Sequence, residues 1–85
     1  MIKFNTIVKF EEGLHARPAS ELVKACQKAK SDIKIIKGET EVNPKSILGI
    51  LTLGARCNDE LEIEVSGEDE NEIVQNLEVF FAESH

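Results

Sequence analysis

The sequence predicts an α+β fold in which three helices pack on one face of a four-stranded, mainly antiparallel sheet. Two observations carry this prediction. Apolar residues alternate with polar ones near residues 2–10 and 60–65, as they do in half-buried strands, and residues 33–37 are also interpreted as a strand. In residues 16–29, and again after residue 69, apolar residues recur every three or four positions, which is typical of amphipathic helices. The element order βαββαβα is satisfied by a sheet covered on one side.

The first half of the chain is predicted to form a strand, a helix and a hairpin. Residues 2–10 place every second side chain on one face, and Ile7 breaks the pattern. Pro18 favours a helix start just before it, because the first turn leaves its backbone N–H groups unbonded and proline has none. A helix is therefore expected from Ala16 to about residue 29. Two short strands, residues 33–37 and 40–42, then form a hairpin.

The second half is predicted to form a short helix, a strand and a long helix. Ser46 is a good N-cap for a helix over residues 47–53, and Gly54 is its stop. Asp69 is expected to cap the last helix, with Glu72 as its capping-box partner. The core face of that helix comprises five apolar residues: Ile73, Val74, Leu77, Phe80 and Phe81.

Length and composition favour a small docking protein. Residues 1–85 are expected to form one domain, with little room for an enclosed substrate pocket. Neither a signal peptide nor an apolar run long enough to cross a membrane is predicted. Cys26 and Cys57 have no metal-like spacing and are interpreted as reduced thiols of a cytoplasmic protein. We predict neither a metal nor a cofactor.

Charge is unevenly distributed along the chain. The first 56 residues carry ten lysines and arginines against six acidic residues, whereas residues 57–85 carry ten acidic residues and no lysine or arginine. This argues against nucleic acid as a partner, since phosphate backbones need a broad basic surface. It permits a basic rim for an acidic protein partner, although surface cations also serve solubility alone. Candidates for the rim are Arg17, Lys24, Lys28, Lys45 and Arg56.

The segment from Gly13 to Ala19 places His15 at or just before a helix N-cap, with Arg17 two residues later. The free N–H groups of a first helical turn, the helix dipole and a guanidinium all favour an anion there. A neutral imidazole is also a nucleophile at physiological pH. These features suit phosphoryl transfer through histidine. The alternative is that His15 is an ordinary surface or capping residue.

Gly13–Ala19, with the sequence GLHARPA, resembles the active-site motif of HPr, the histidine-containing phosphocarrier family of the bacterial sugar phosphotransferase system. The segments KSILG at residues 45–49, LG at 53–54 and SGEDE at 66–70 match further motifs of that family. They lie at the family's separations, and the resemblance covers essentially the whole chain without gaps. It implies an open-faced β-sandwich.

The resemblance also implies a reaction. His15 would accept a phosphoryl group on Nδ1 from phosphorylated Enzyme I and pass it to the IIA domains of sugar transporters. Arg17, with the backbone N–H groups of Ala16 and Arg17, would stabilise the phosphoryl oxygens. Such a protein is a cytoplasmic carrier and a monomer, not a turnover enzyme.

Ser46 has two interpretations. It is a suitable N-cap, and Lys45-Ser46-Ile47 also matches the regulatory site of HPr from low-GC Gram-positive bacteria. The resemblance implies phosphorylation there by HPr kinase/phosphorylase, slower transfer from Enzyme I, and binding to a LacI-type catabolite repressor.

The short helix is too apolar to bury every side chain. We assign Ile50 and Leu53 to the core and the other three apolar side chains to a partner-facing patch beside His15. The alternative is that a well-covered helix buries most of them. The docking residues that we predict are Ile47, Leu48, Leu51, Lys24, Lys45 and Arg56.

Some positions depart from the family pattern. Glu12 places a carboxylate near His15, where it either repels a phosphoryl group or points away. Pro44 is unusual before the regulatory serine, and no role is predicted for His85. Two rival classes stay open: a regulatory relative without carrier activity, which His15 argues against because such relatives lack the active histidine, and a small α+β interaction module that matches by coincidence.

Overall fold

The computed structural model describes residues 1–83, so His85 lies outside the described part of the chain. Its element order is βαββαβα, as predicted. Helix α1 ends at Gln27 rather than near residue 29. The elements are β1 (Ile2–Ile7), α1 (Ala16–Gln27), β2 (Asp32–Lys37), β3 (Thr40–Val42), α2 (Ile47–Leu53), β4 (Glu60–Ser66) and α3 (Glu70–Ala82).

The sheet has the strand order β1-β4-β2-β3, and every neighbouring pair is antiparallel. Ile63 of β4 lies opposite Phe4 of β1 on one side and Ile35 of β2 on the other. One cluster of buried side chains joins the inner face of the sheet to all three helices, and its members include Ile35, Ile63, Leu22, Ile50 and Leu77. The outer face of β4 carries alternating glutamates. The predicted fold class is therefore confirmed.

Strand β1 is shorter than the alternation predicted. It ends at Ile7, and the chain then exchanges hydrogen bonds with the loop before β4: the Val8 N–H donates to the Asp59 carbonyl at 2.9 Å, and the Asn58 N–H donates to the Val8 carbonyl at 2.7 Å. The Phe10 ring stays buried and packs against the rings of α3. The alternation of buried side chains thus continues past the end of β1, because a loop can bury alternate side chains without pairing to a neighbouring strand.

The predicted capping box at the start of α3 is wrong. Asp69 occupies the N-cap position, but its side chain makes no capping hydrogen bond. Glu70, rather than Glu72, reaches back, and its Oε1 accepts from the Gly67 N–H at 3.1 Å. The capping side chain is therefore two residues earlier than the motif places it.

The Asp69 carboxylate instead joins the start of α3 to the segment before β2. It accepts from the N–H groups of Lys30 and Ser31, both at 2.9 Å, and from the Ser31 hydroxyl. The Ser31 hydroxyl and then the Lys30 N–H hold the pKa of the Asp69 carboxyl below its usual range. Ser31 also lies so close to Gly67 that a Cβ added to Gly67 would be 2.6 Å from the Ser31 Cα.

Candidate functional site

The loop that carries His15 is fixed to the segment after α2. Gly13 has φ +76°, and a Cβ there would lie 2.5 Å from the Ala55 carbonyl oxygen and 2.9 Å from the Arg56 Cα. The next residue, Leu14, is buried and its N–H donates to that same Ala55 carbonyl at 3.0 Å. Only glycine satisfies both the backbone angle and the close approach. The glycine therefore sets the distance between His15 and the end of α2.

His15 is the N-cap of α1, as the position of Pro18 predicts. Its backbone is extended, and its carbonyl accepts from the Ala19 N–H at 2.8 Å, so Ala19 supplies the first intrahelical donor. The side chain of His15 makes no capping hydrogen bond and is 44% exposed. The N–H groups of Ala16 and Arg17 precede that first donor and have no partner in the helix. The exposed imidazole thus lies beside two backbone N–H groups that have no acceptor within residues 1–83.

The charged side chains near the His15 ring occupy positions that the sequence did not predict. The Glu12 carboxylate lies 2.8 Å from His15 Nε2 and does not point away. Arg17 is 89% exposed, and in the described part of the chain its ion pair is a long one, 3.9 Å from its Nε to Glu21 Oε1. Within residues 1–83, no hydrogen bond joins His15 to Arg17. A surface depression of about 470 Å³ is lined by Glu12, His15, Arg17, Pro18 and Glu21.

Ser46 is exposed and caps α2. Its Oγ accepts from the Gly49 N–H at 3.2 Å. In the segment before Ser46, Pro44 is buried, and the Asn43 side chain accepts from the Lys45 N–H at 2.9 Å. The capping interpretation therefore describes the unmodified protein, and the hydroxyl remains accessible.

The predicted core and surface residues of α2 separate as expected. Ile50 and Leu53 are buried, whereas Ile47, Leu48 and Leu51 are 45%, 71% and 52% exposed. The helix ends at Leu53 with Gly54 as its C-cap, and the next residue is Ala55, whose carbonyl accepts from the Leu14 N–H. We call the three exposed side chains the α2 patch.

The three basic residues among the predicted docking residues differ in how available their charges are. Lys24 and Arg56 are exposed. The Lys45 ammonium group donates to the Ala29 carbonyl at 3.1 Å, near the end of α1, in a part-buried contact. The Lys45 ammonium group is thus already hydrogen-bonded, whereas Lys24 and Arg56 form no ion pair with residues 1–83.

Among residues 1–83 there is no cluster of three side chains that could hold a metal ion, and no helix is long and apolar enough to cross a membrane. The site consists of the exposed His15 ring, the N-terminus of α1, the exposed Arg17 side chain and the Glu12 carboxylate at the ring. The first three of these groups suit transient binding of an anion to the imidazole.

Comparison with known proteins identifies the class. The family model described as the PTS HPr component phosphorylation site matches residues 2–83. The phosphocarrier protein HPr of Mycoplasma capricolum is 38% identical over 77 residues, which cover 91% of this chain and 86% of that protein. The chain therefore belongs to the HPr family of the phosphotransferase system.

Solved structures agree with this assignment. HPr-C-His from Thermoanaerobacter tengcongensis has a TM-score of 0.89 and 36% identity, and the match covers 98% of both chains. Crh, the catabolite repression protein of Bacillus subtilis, has a TM-score of 0.76 and 32% identity, over 96% of this chain and 94% of that one. That Crh structure is described as a dimer with a swapped domain.

Proposed function

We propose that this protein is a phosphocarrier: His15 accepts a phosphoryl group from phosphorylated Enzyme I and passes it to sugar-specific IIA domains during sugar uptake. The observation that carries the proposal is the exposed His15 ring at the N-cap of α1, beside a depression and two unbonded backbone N–H groups. The open site favours a carrier that meets other proteins over an enzyme that encloses a substrate. We propose that the chain forms one cytoplasmic domain and acts as a monomer.

The chemistry requires little of the protein beyond position and charge. The lone pair of His15 Nδ1 attacks phosphorus, the bond from phosphorus to the donor atom breaks, and the bonding electrons return to the donor. Negative charge spreads over the equatorial oxygens during this in-line transfer. The N–H groups of Ala16 and Arg17 supply donors, and the Arg17 guanidinium rotates from Glu21 to meet the oxygens. An exposed ion pair such as Arg17–Glu21 holds the guanidinium weakly, so this rotation costs little.

Docking is assigned to the α2 patch. Three exposed apolar side chains on one short helix form a surface that a partner can cover. Lys24 and Arg56 add exposed positive charge and favour acidic partners. Lys45 contributes chiefly by fixing the end of α1, since its ammonium group already binds the Ala29 carbonyl. Enzyme I and the IIA domains would use this surface in turn.

Ser46 is proposed as a regulatory phosphorylation site for HPr kinase/phosphorylase. A phosphate would add a charge of about −1.5 to −2 at the start of α2, next to the α2 patch. The fold would change little, because Ser46 is exposed and its cap is a single hydrogen bond. The added charge would slow docking to Enzyme I and create a site for a LacI-type catabolite repressor.

Incubation with phosphoenolpyruvate and a catalytic amount of Enzyme I tests the carrier role. We expect an acid-labile mass gain of one phosphoryl group in the protein and none in His15→Ala. An authentic HPr in the same mixture controls for active Enzyme I. If the control is labelled and this protein is not, the carrier proposal is wrong.

A further inference from the structure

The Glu12–His15 contact restricts which nitrogen of the ring carries a proton. An ionised carboxylate only accepts hydrogen bonds, so at 2.8 Å from Glu12 Oε2 the His15 Nε2 must be the protonated nitrogen. In a neutral ring, the other nitrogen, Nδ1, then holds the lone pair. A carboxylate that orients a histidine in this way sets its tautomer in many active sites.

From this we infer that Glu12 is a positioning residue for phosphoryl transfer, which holds His15 as the Nε2–H tautomer with Nδ1 free to attack. The inference rests on the proposed carrier function. It assigns to Glu12 a role opposite to simple repulsion of the phosphoryl group, because the carboxylate meets the ring at the nitrogen that does not react.

The proton balance agrees with this role. Attack by Nδ1 forms a bond to phosphorus and leaves the Nε2 proton in place, so the ring gains positive charge without any proton transfer. The Glu12 carboxylate, already at the Nε2 proton, offsets that charge. When the phosphoryl group leaves for an acceptor, the electron pair returns to Nδ1, and the starting tautomer is restored.

The backbone supports the contact. The Gly13 N–H donates to the Phe10 carbonyl at 2.9 Å, and the His15 N–H donates to the Gly13 carbonyl at 3.0 Å. These two turns fold the chain between residues 10 and 15, which brings the Glu12 carboxylate onto the His15 ring. Glu12 is itself 78% exposed, so the contact holds the ring without burying a charge.

Two variants and a matched control separate positioning from charge. Glu12→Ala removes the acceptor, whereas Glu12→Gln removes the charge and keeps an oxygen that can accept from Nε2–H. Glu11→Gln removes the same charge from the exposed neighbouring residue. The tautomer is measured by ¹⁵N NMR of the ring nitrogens at alkaline pH, where histidine rings are neutral. Transfer from Enzyme I is timed on the same samples.

We expect the wild type, Glu12→Gln and Glu11→Gln to keep the Nε2–H tautomer, and Glu12→Ala to show a detectable share of Nδ1–H. Transfer should slow about three- to tenfold in Glu12→Ala and recover most of its rate in Glu12→Gln. Unchanged tautomers in Glu12→Ala, or faster transfer in both Glu12 variants, would overturn the inference. If the wild type accepts no phosphoryl group, the carrier function fails, and the tautomer measurement still decides whether Glu12 holds the ring.

Discussion

Replacement of Gly13 by alanine tests how the active-site loop is positioned. A non-glycine residue at φ +76° costs about 1–2 kcal/mol. The new Cβ would also lie 2.5 Å from the Ala55 carbonyl oxygen and 2.9 Å from the Arg56 Cα, both backbone atoms that cannot rotate aside. Overpacking of this kind costs about 1–3 kcal/mol. The expected total loss is therefore about 2–5 kcal/mol in the free energy of unfolding.

Gly38→Ala is the matched control. Gly38 has φ +60°, but nothing lies within 4 Å of its added Cβ, so this variant should lose only the backbone share, about 1–2 kcal/mol. Urea unfolding of both variants measures the difference. With a slope of about 1 kcal/mol per M, the Gly13→Ala midpoint should lie about 1–3 M below that of Gly38→Ala.

Because Gly13→Ala should displace the loop that carries His15, this variant should also be impaired in phosphoryl transfer. In Gly13→Ala, transfer from Enzyme I should fall under conditions where the variant is folded, whereas Gly38→Ala should transfer like the wild type. Equal midpoints for the two variants would refute the claim that close approach at Gly13 fixes the loop.

Other expected outcomes concern helix α2, the cysteines and Asp69. Leu53→Ala should lose about 2–5 kcal/mol of unfolding free energy because Leu53 is buried. The exposed Leu48 should cost less than about 0.5 kcal/mol when replaced by alanine, yet Leu48→Ala should slow phosphoryl transfer. A stable and fully active Leu48→Ala would contradict the docking assignment. Burial raises the pKa of the Cys26 thiol to about 12. A thiol reagent at pH 8 should therefore modify Cys57 in the native protein and Cys26 only after unfolding. Rapid modification of both cysteines would show that the core opens. The lowered pKa of Asp69 stabilises the fold above the ordinary carboxyl value, and this share is lost as pH falls through the native pKa. The wild type should therefore unfold at higher urea than Asp69→Asn at pH 7, and a difference that persists unchanged in acid would argue against the hydrogen-bonded carboxylate.

Local patterns in the sequence predicted most of the fold. The bounds of α2 follow from Ser46 and Gly54, a cap and a stop that act within the helix itself. The end of β1 could not be predicted in this way, because it depends on Asn58 and Asp59, about fifty residues away, which take over the hydrogen bonds of Val8. The hydrophobic periodicity of a segment does not reveal hydrogen-bond partners that lie far away in the sequence.

In the candidate site, too, local sequence signals predicted some features, and contacts between distant or turned segments determined the others. The placement of His15 at the N-cap follows from the proline three residues later. Elsewhere, the predicted capping box of α3 failed because the Asp69 carboxylate accepts hydrogen bonds from Lys30 and Ser31, in the segment between α1 and β2. The contact of Glu12 with Nε2 needed the turns at Gly13, although a spacing of three residues around a glycine is a signal that could have suggested it.

The most direct test is to identify the nitrogen that carries the phosphoryl group. Protein labelled with ¹⁵N-histidine would be phosphorylated by Enzyme I, and ³¹P–¹⁵N coupling would be measured, with His15→Ala to assign the two histidines of the chain. The account predicts coupling to His15 Nδ1 with a proton retained on Nε2. Coupling to Nε2, or phosphate on any residue other than His15, would contradict it.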